Sequence, residues 1–184
     1  MKALKLSLIA ILACAALVSC KKKDETTTSG KSDKDKRTEY IEYLTNKKGW
    51  VLESATSSPA YELLDGSFAT DLMKDGYLEE CELDEILKFT ENGGMTINPG
   101  DDVCEYGYPQ EVAATWSLSE DLKTLTMQLP FFYNDEYNSY NSQVEECQIL
   151  SLTESQLRIK YTFDDYEAGA KKVYSFTLTY KINK

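Results

Sequence analysis

The sequence predicts an all-β domain: an eight-stranded antiparallel up-and-down barrel accompanied by one or two short helices. Three observations predict it. Beyond residue 38 the chain divides into eight short runs in which apolar and polar residues alternate, the period of a strand with one buried face. The connections between the runs alternate long and short, and in an up-and-down arrangement alternate loops fall at the same end. The 146 residues from Glu39 onward suffice for a single domain with its own core, and no internal repeat divides them.

Taken in order, the chain opens MKALKLSLIAILACAALVSC. Lys2 and Lys5 precede an apolar run from Leu6 to Val18 and small residues before a cysteine, which marks residues 1–19 as a signal peptide. The run is shorter than the roughly 20 residues a membrane-spanning helix needs. LVSC resembles a bacterial lipobox. The resemblance implies cleavage before Cys20 and acylation of its amine and thiol, so that the membrane becomes a partner through an N-terminal lipid anchor. Several acyl chains, each contributing ~0.8 kcal/mol per buried methylene, hold a protein firmly on a bilayer.

Residues 20–38 continue CKKKDETTTSGKSDKDKRT, with no aromatic or aliphatic residue to bury, and read as a solvated tether ahead of a domain spanning 39–184. Lys21, Lys22 and Lys23 suit anionic headgroups. The lysine followed by Asp24 and Glu25 resembles the export tag of surface lipoproteins in Bacteroidetes-type bacteria. The implied location is the outer membrane, on the cell surface or the periplasmic face.

Within the domain, a helical turn is expected from Thr38 to Asn46. The strands follow as WVLES (Trp50 to Ser54), EILKFTE (Glu85 to Glu91), MTIN (Met95 to Asn98), VAATWSLS (Val112 to Ser119), KTLTMQL (Lys123 to Leu129), QVEECQILSL (Gln143 to Leu152), LRIKYTF (Leu157 to Phe163) and VYSFTLTYKI (Val173 to Ile182). A second helical piece is expected from Ser67 to Tyr77, where Phe68 and Leu72 fall at helical spacing. Asn92-Gly93 between apolar runs signals a hairpin, because both central residues of its turn take positive φ. A two-residue turn there sets Cys81 opposite Cys104. Gly94 equally permits a three-residue turn with a bulge, which groups Leu87, Phe89, Met95 and Ile97 better. Either register brings the cysteines within disulfide reach, as expected of an exported protein, and leaves Cys147 as a free thiol.

The long connections, read as Ala55 to Asp84, Pro99 to Glu111 and Pro130 to Ser142, with Asp164 to Lys172 intermediate, share one end of the barrel. They hold Tyr61, Tyr77, Tyr106, Tyr108, Tyr133, Tyr137, Tyr140 and Tyr166, eight of the thirteen tyrosines. The mouth is therefore expected to be aromatic and negative, with Glu82, Asp101 and Asp102 on its rim. Tyr106, Tyr108, Phe131, Phe132, Tyr133, Tyr137, Tyr140 and Tyr166 are the candidate ligand contacts, either as a surface for a small molecule or glycan or as a plug over the mouth. An eight-stranded barrel is just wide enough to be filled by side chains or to hold one small ligand.

Charge and composition exclude several classes. The domain carries 27 acidic and 11 basic residues, so nucleic acid, which needs a basic surface, is not an expected partner. Histidine is absent, which removes Ser-His-Asp and Cys-His catalysis and His-ligated zinc. No run has the oxygen spacing of an EF-hand. Paired acids such as Glu79-Glu80, Asp101-Asp102, Glu145-Glu146 and Asp164-Asp165 are common solubility chemistry on exported domains. No metal, cofactor or enzymatic activity is expected, and the domain is expected to be a monomer.

Trp50, Leu52, Cys81 and Asp84, then Phe89, Gly94 and Cys104, then Trp116, Ser117 and Leu118, then Ile149, Leu152, Thr153 and Leu157 together resemble the lipocalin-like domain of Bacteroidetes lipoproteins, over roughly Leu44 to Tyr180. The resemblance implies a small antiparallel barrel on a lipid anchor. The expected function is binding of a small apolar or amphipathic ligand. The alternative is a surface glycan- or protein-binding accessory that uses the aromatic loops at the mouth.

Overall fold

A computed structural model describes residues 32–104, 111–134, 139–167 and 170–184, with backbone alone for 129–134, 139–143, 166–167 and 170. In chain order the elements are α1 (Asp33–Leu44), β1 (Trp50–Glu62), β2 (Phe68–Asp71), β3 (Ile86–Phe89), β4 (Gly94–Asn98), β5 (Val112–Leu118), β6 (Thr124–Asn134), β7 (Ser139–Leu152), β8 (Gln156–Glu167) and β9 (Ala170–Ile182). A 3-10 turn, Glu80–Glu82, precedes β3.

From β3 to β9 each strand pairs antiparallel with the next. β1 closes the ring. One of its edges pairs with β9 from Trp50↔Ile182 to Ser58↔Ser175, and the other meets β3 through Trp50↔Leu87 and Val51↔Ile86. The result is a closed eight-stranded antiparallel barrel, as the alternating runs predict, with β2 as an additional strand along the far half of β1 (Tyr61↔Ala69, Glu62↔Phe68). All eight predicted runs are strands.

The hairpin between β3 and β4 takes the bulged, three-residue form. Leu87 pairs with Ile97 and Phe89 with Met95, and Thr90 N–H donates to Gly94 O at 2.8 Å. Glu91, Asn92 and Gly93 make the loop, with Gly93 at φ +84°, a conformation glycine adopts without steric cost. All four predicted core residues of this hairpin are buried. The two cysteines are bonded beyond the end of the ladder, with Cα atoms 5.2 Å apart, and Cys147 is free and buried.

Three expectations are corrected. Ser67 to Tyr77 is not helical: Phe68 is 61% exposed while Ala69 and Leu72 are buried, so Phe68 and Leu72 share no face, and pairing with β1 takes the first part as strand. A turn follows, in which the N–H groups of Thr70 and Asp71 donate to Asp75 Oδ2. Pro130 to Ser142 is not a long loop. Pro130 pairs with Ser142 at a register shift, a place where a strand tolerates proline, and the ladder runs on to Asn134↔Ser139. Asp164 to Lys172 is likewise mostly strand, extending to Glu167↔Ala170, so Tyr133, Tyr140 and Tyr166 stand on strands, as does Tyr61 because β1 runs past Ala55 to Glu62.

The helix leading into the barrel starts earlier than Thr38. Ser32 caps it in a reciprocal capping box with Asp35, so residues 33–38, which read by composition as tether, are helical. Their outward faces are exposed, consistent with that composition. Inward, Arg37 donates to the carbonyls of Leu118 (3.2 Å) and Ser119 (3.0 Å) at the tip of the β5–β6 hairpin. Tyr40, Ile41, Tyr43 and the fully buried Leu44 pack against the core. Trp50 Nε1–H donates to Leu44 O at 2.9 Å. Helix and tryptophan together block the end of the barrel where the tight hairpins lie.

The core falls into two groups along the barrel axis. The first, around Trp50, Phe89, Trp116, Leu125 and Leu157, fills the blocked end; Trp116 packs edge-on against Phe89 and donates Nε1–H to Thr90 O at 3.0 Å. The second, around Ala55, Leu72, Tyr174 and Phe176, lies toward the open end. It forms because β1 carries a bulge between Leu52 and Ser54 that shifts its inward positions from Trp50 and Leu52 to Ala55 and Ser57. Small residues there leave room above the filled layer.

Candidate functional site

Between the two core groups lies a cavity of about 470 Å³, within the size range of small-molecule sites. The barrel is therefore filled at one end and hollow toward the other. Leu87, Ile97 and Met127 make its floor, and Leu72, Leu78 and Leu178 continue the aliphatic lining toward the mouth. One wall is aromatic. Tyr161 and Phe163 stack at 5.3 Å between centroids, Phe176 meets Phe163 edge-on at 5.0 Å, and Tyr77 meets Phe176 edge-on at 5.2 Å. Tyr61 buttresses this wall from β1, in edge contacts with Tyr77, Tyr174 and Phe176.

Two carboxylates enter this apolar space. Glu85 precedes β3 and shares the inward parity of Leu87 and Phe89; Glu145 stands on β7 with the inward parity of Cys147. β3 and β7 lie on opposite walls, since β4, β5 and β6 separate them one way round and β8, β9 and β1 the other. Oε2 of Glu145 is wholly buried. Tyr180, on β9, feels both Glu85 and the Cys147 thiol.

Burial dominates the acid-base behaviour here. It pushes the Glu85 carboxyl up to about 7, with Glu82 and Asp84 adding like-charge repulsion. It pushes the Cys147 thiol up to about 12, assisted by the charge of Glu145, so this thiol is not a nucleophile near neutral pH. The Tyr180 hydroxyl is raised by the same desolvation.

Glu85 makes stability depend on pH. The folded protein retains its proton through a window in which the unfolded chain, with a value near 4.5, has released it. Stability therefore declines as pH rises from about 4.5 to about 7 and then levels. Glu85→Gln is expected to remove this decline, gaining about 1 kcal/mol at pH 8 after solvent screening and nothing at pH 4, measured by urea unfolding at both pH values.

The segment that presents Glu85 is held from two sides. The Cys81–Cys104 disulfide joins it to the chain after β4, and Asp84 Oδ2 accepts from the backbone N–H of Asp101 (2.7 Å) and Asp102 (3.1 Å). Gly100, at φ +78°, lies against the Asp84 carboxylate where any Cβ would collide. Glu79, Cys81 and Cys104 also come together with the spacing of metal ligands, but the two sulfurs are bonded to each other and offer no thiolate.

Of the predicted contacts, Tyr106, Tyr108 and Tyr137 lie outside the described residues, as does Cys20, and only backbone is described for Phe131, Phe132, Tyr133, Tyr140 and Tyr166. Topology does put the described strand ends that face these connections, the end of β4 and start of β5, the end of β6 and start of β7, and the end of β8 and start of β9, at the open end, with the predicted rim acids Glu82, Asp101 and Asp102. The described cavity includes Tyr77 of the predicted mouth tyrosines and otherwise draws mostly on residues of the predicted strands, with Glu85 just ahead of β3 and Glu145, which composition reads as a solubility acid, on β7. Neither a protein-family model nor a curated protein matches the chain.

Proposed function

We propose that the protein is a lipid-anchored, lipocalin-like binding module of the outer membrane that holds a small apolar or amphipathic ligand inside the barrel, and that it is a binder and not an enzyme. The carrying observation is the cavity of about 470 Å³, lined by aliphatic and aromatic side chains with a few polar groups. The described pocket contains a raised carboxyl and an inert thiol but no nucleophile paired with a base. The disulfide supports an exported protein, since such bonds persist in oxidising compartments. The anchor rests on LVSC and Cys20, and an acylated Cys20 at the mature N-terminus, seen by mass spectrometry, is the expected result.

The binding test uses the full chain carrying Cys20→Ser and the uncharged fluorophore N-phenylnaphthylamine. Fluorescence is expected to rise on binding with one site per chain. Leu178→Trp, which extends an indole into the cavity, is expected to weaken binding by about tenfold or more while the melting temperature holds. Equal binding by the two proteins would place the fluorophore elsewhere and overturn the reading.

A further inference from the structure

We propose that the natural ligand of the cavity is an amphipathic cation, a small hydrophobic amine or quaternary ammonium whose positive head sits between Glu85 and Glu145 and whose apolar body lies on the aromatic wall. This rests on the binding reading given above and names the class of ligand within it.

The lining sets two acids against no base. Glu85 and Glu145 face the same apolar space from opposite walls, and no lysine or arginine lines it among the described residues. A purely apolar ligand engages neither carboxyl, and an anion would bring negative charge beside them in a low-dielectric site. A cation changes the sign of that balance. Beside Glu85 it favours the ionised carboxylate that burial disfavours, and beside Glu145 it meets an oxygen that water does not reach.

The wall suits the same ligand. Tyr77, Tyr161, Phe163 and Phe176 give the apolar body of such a ligand a continuous surface to lie on, in stacked and edge-on contact with one another. Tyr180, partly buried and kept protonated by desolvation of its hydroxyl, is held near Glu85 and Cys147. A volume of about 470 Å³ admits a trimethylammonium head on a short aryl or alkyl body.

The experiment displaces bound N-phenylnaphthylamine from the Cys20→Ser chain with three compounds of similar length: phenylbutyltrimethylammonium, phenylhexanol and phenylbutanesulfonate. The ammonium is expected to displace the fluorophore at a concentration about tenfold or more below the alcohol, and the sulfonate to be weakest. In Glu85→Gln/Glu145→Gln the fluorophore should still bind, and the advantage of the ammonium over the alcohol should shrink to about twofold or less. An ammonium no better than the alcohol, with the fluorophore bound, overturns the cation and leaves the binding reading standing. An undiminished ammonium advantage in the double variant also overturns it. If neither fluorophore nor ammonium binds, by fluorescence or by calorimetry, both readings fall together.

Discussion

Trp50→Ala is expected to be the most damaging single substitution, lowering stability by about 4 kcal/mol, and more if the site does not collapse. Trp50 is fully buried and is one of the largest side chains in the core. Three elements converge on it. Its backbone pairs with both β3 (Leu87) and β9 (Ile182), at the point where the ring closes, and its indole N–H donates to Leu44 O at the end of α1. Removing the ring opens a cavity in the filled layer and leaves the Leu44 carbonyl without that donor, a loss of about 1–3 kcal/mol by itself. Urea unfolding should show a lower midpoint at unchanged slope. Trp50→Phe separates the contributions, keeping most of the packing and losing the hydrogen bond. A cost for Trp50→Phe equal to that for Trp50→Ala would assign the whole effect to the bond, and a cost below about 1 kcal/mol would assign it to packing.

The second large effect is expected from Cys81→Ala/Cys104→Ala, at about 3 kcal/mol. The bond closes a loop with a sequence separation of 23, and in the chain-entropy account a crosslink of that span stabilises by restricting the unfolded chain. It also fastens the 3-10 turn, which offers little packing of its own because none of Glu80–Glu82 is buried. Reduction of the intact protein should lower the melting temperature to that of the double variant. Thiol counting under denaturing, non-reducing conditions on the Cys20→Ser chain should find Cys147 alone among the cysteines of the domain. A double variant as stable as the parent would show that Asp84, through Asp101 and Asp102, holds the turn without help.

The strands were legible because one-faced burial writes a period of two into the sequence. LRIKYTF and VYSFTLTYKI show it without interruption, and their ladder is the longest and most regular pairing in the barrel. Loops were less legible, because proline and paired acids look like stops. Pro130 and Asp164-Asp165 were read that way, yet a register shift accommodates the first, and the second alternates along β8 with Asp164 outside, bonded to Lys171 at 2.8 Å. The helical reading of Ser67 to Tyr77 failed for a related reason. Two apolar residues four apart also fit a short strand followed by a turn, and β1 offered an edge.

The site was legible only in part. Loop lengths point only to an aromatic, acidic mouth, most of whose ring side chains lie outside the description, and the inward carboxylates do not announce themselves by composition. Their signal is parity. Carrying the phase of Cys147 and Ile149 two residues back puts Glu145 inside and Val144 outside, the reverse of what hydropathy alone favours, and Val144 is 57% exposed. Carrying the phase of Leu87 and Phe89 back puts Glu85 inside in the same way. Bulges hide the rest, since the shift between Leu52 and Ser54 that creates the hollow half leaves no mark in WVLES.

The helix and tryptophan that block one end bear on traffic. Among the described residues the lumen is stoppered at one end by Leu44 and Trp50, so a ligand held there as proposed would enter and leave by the same route, with no passage from one face to the other.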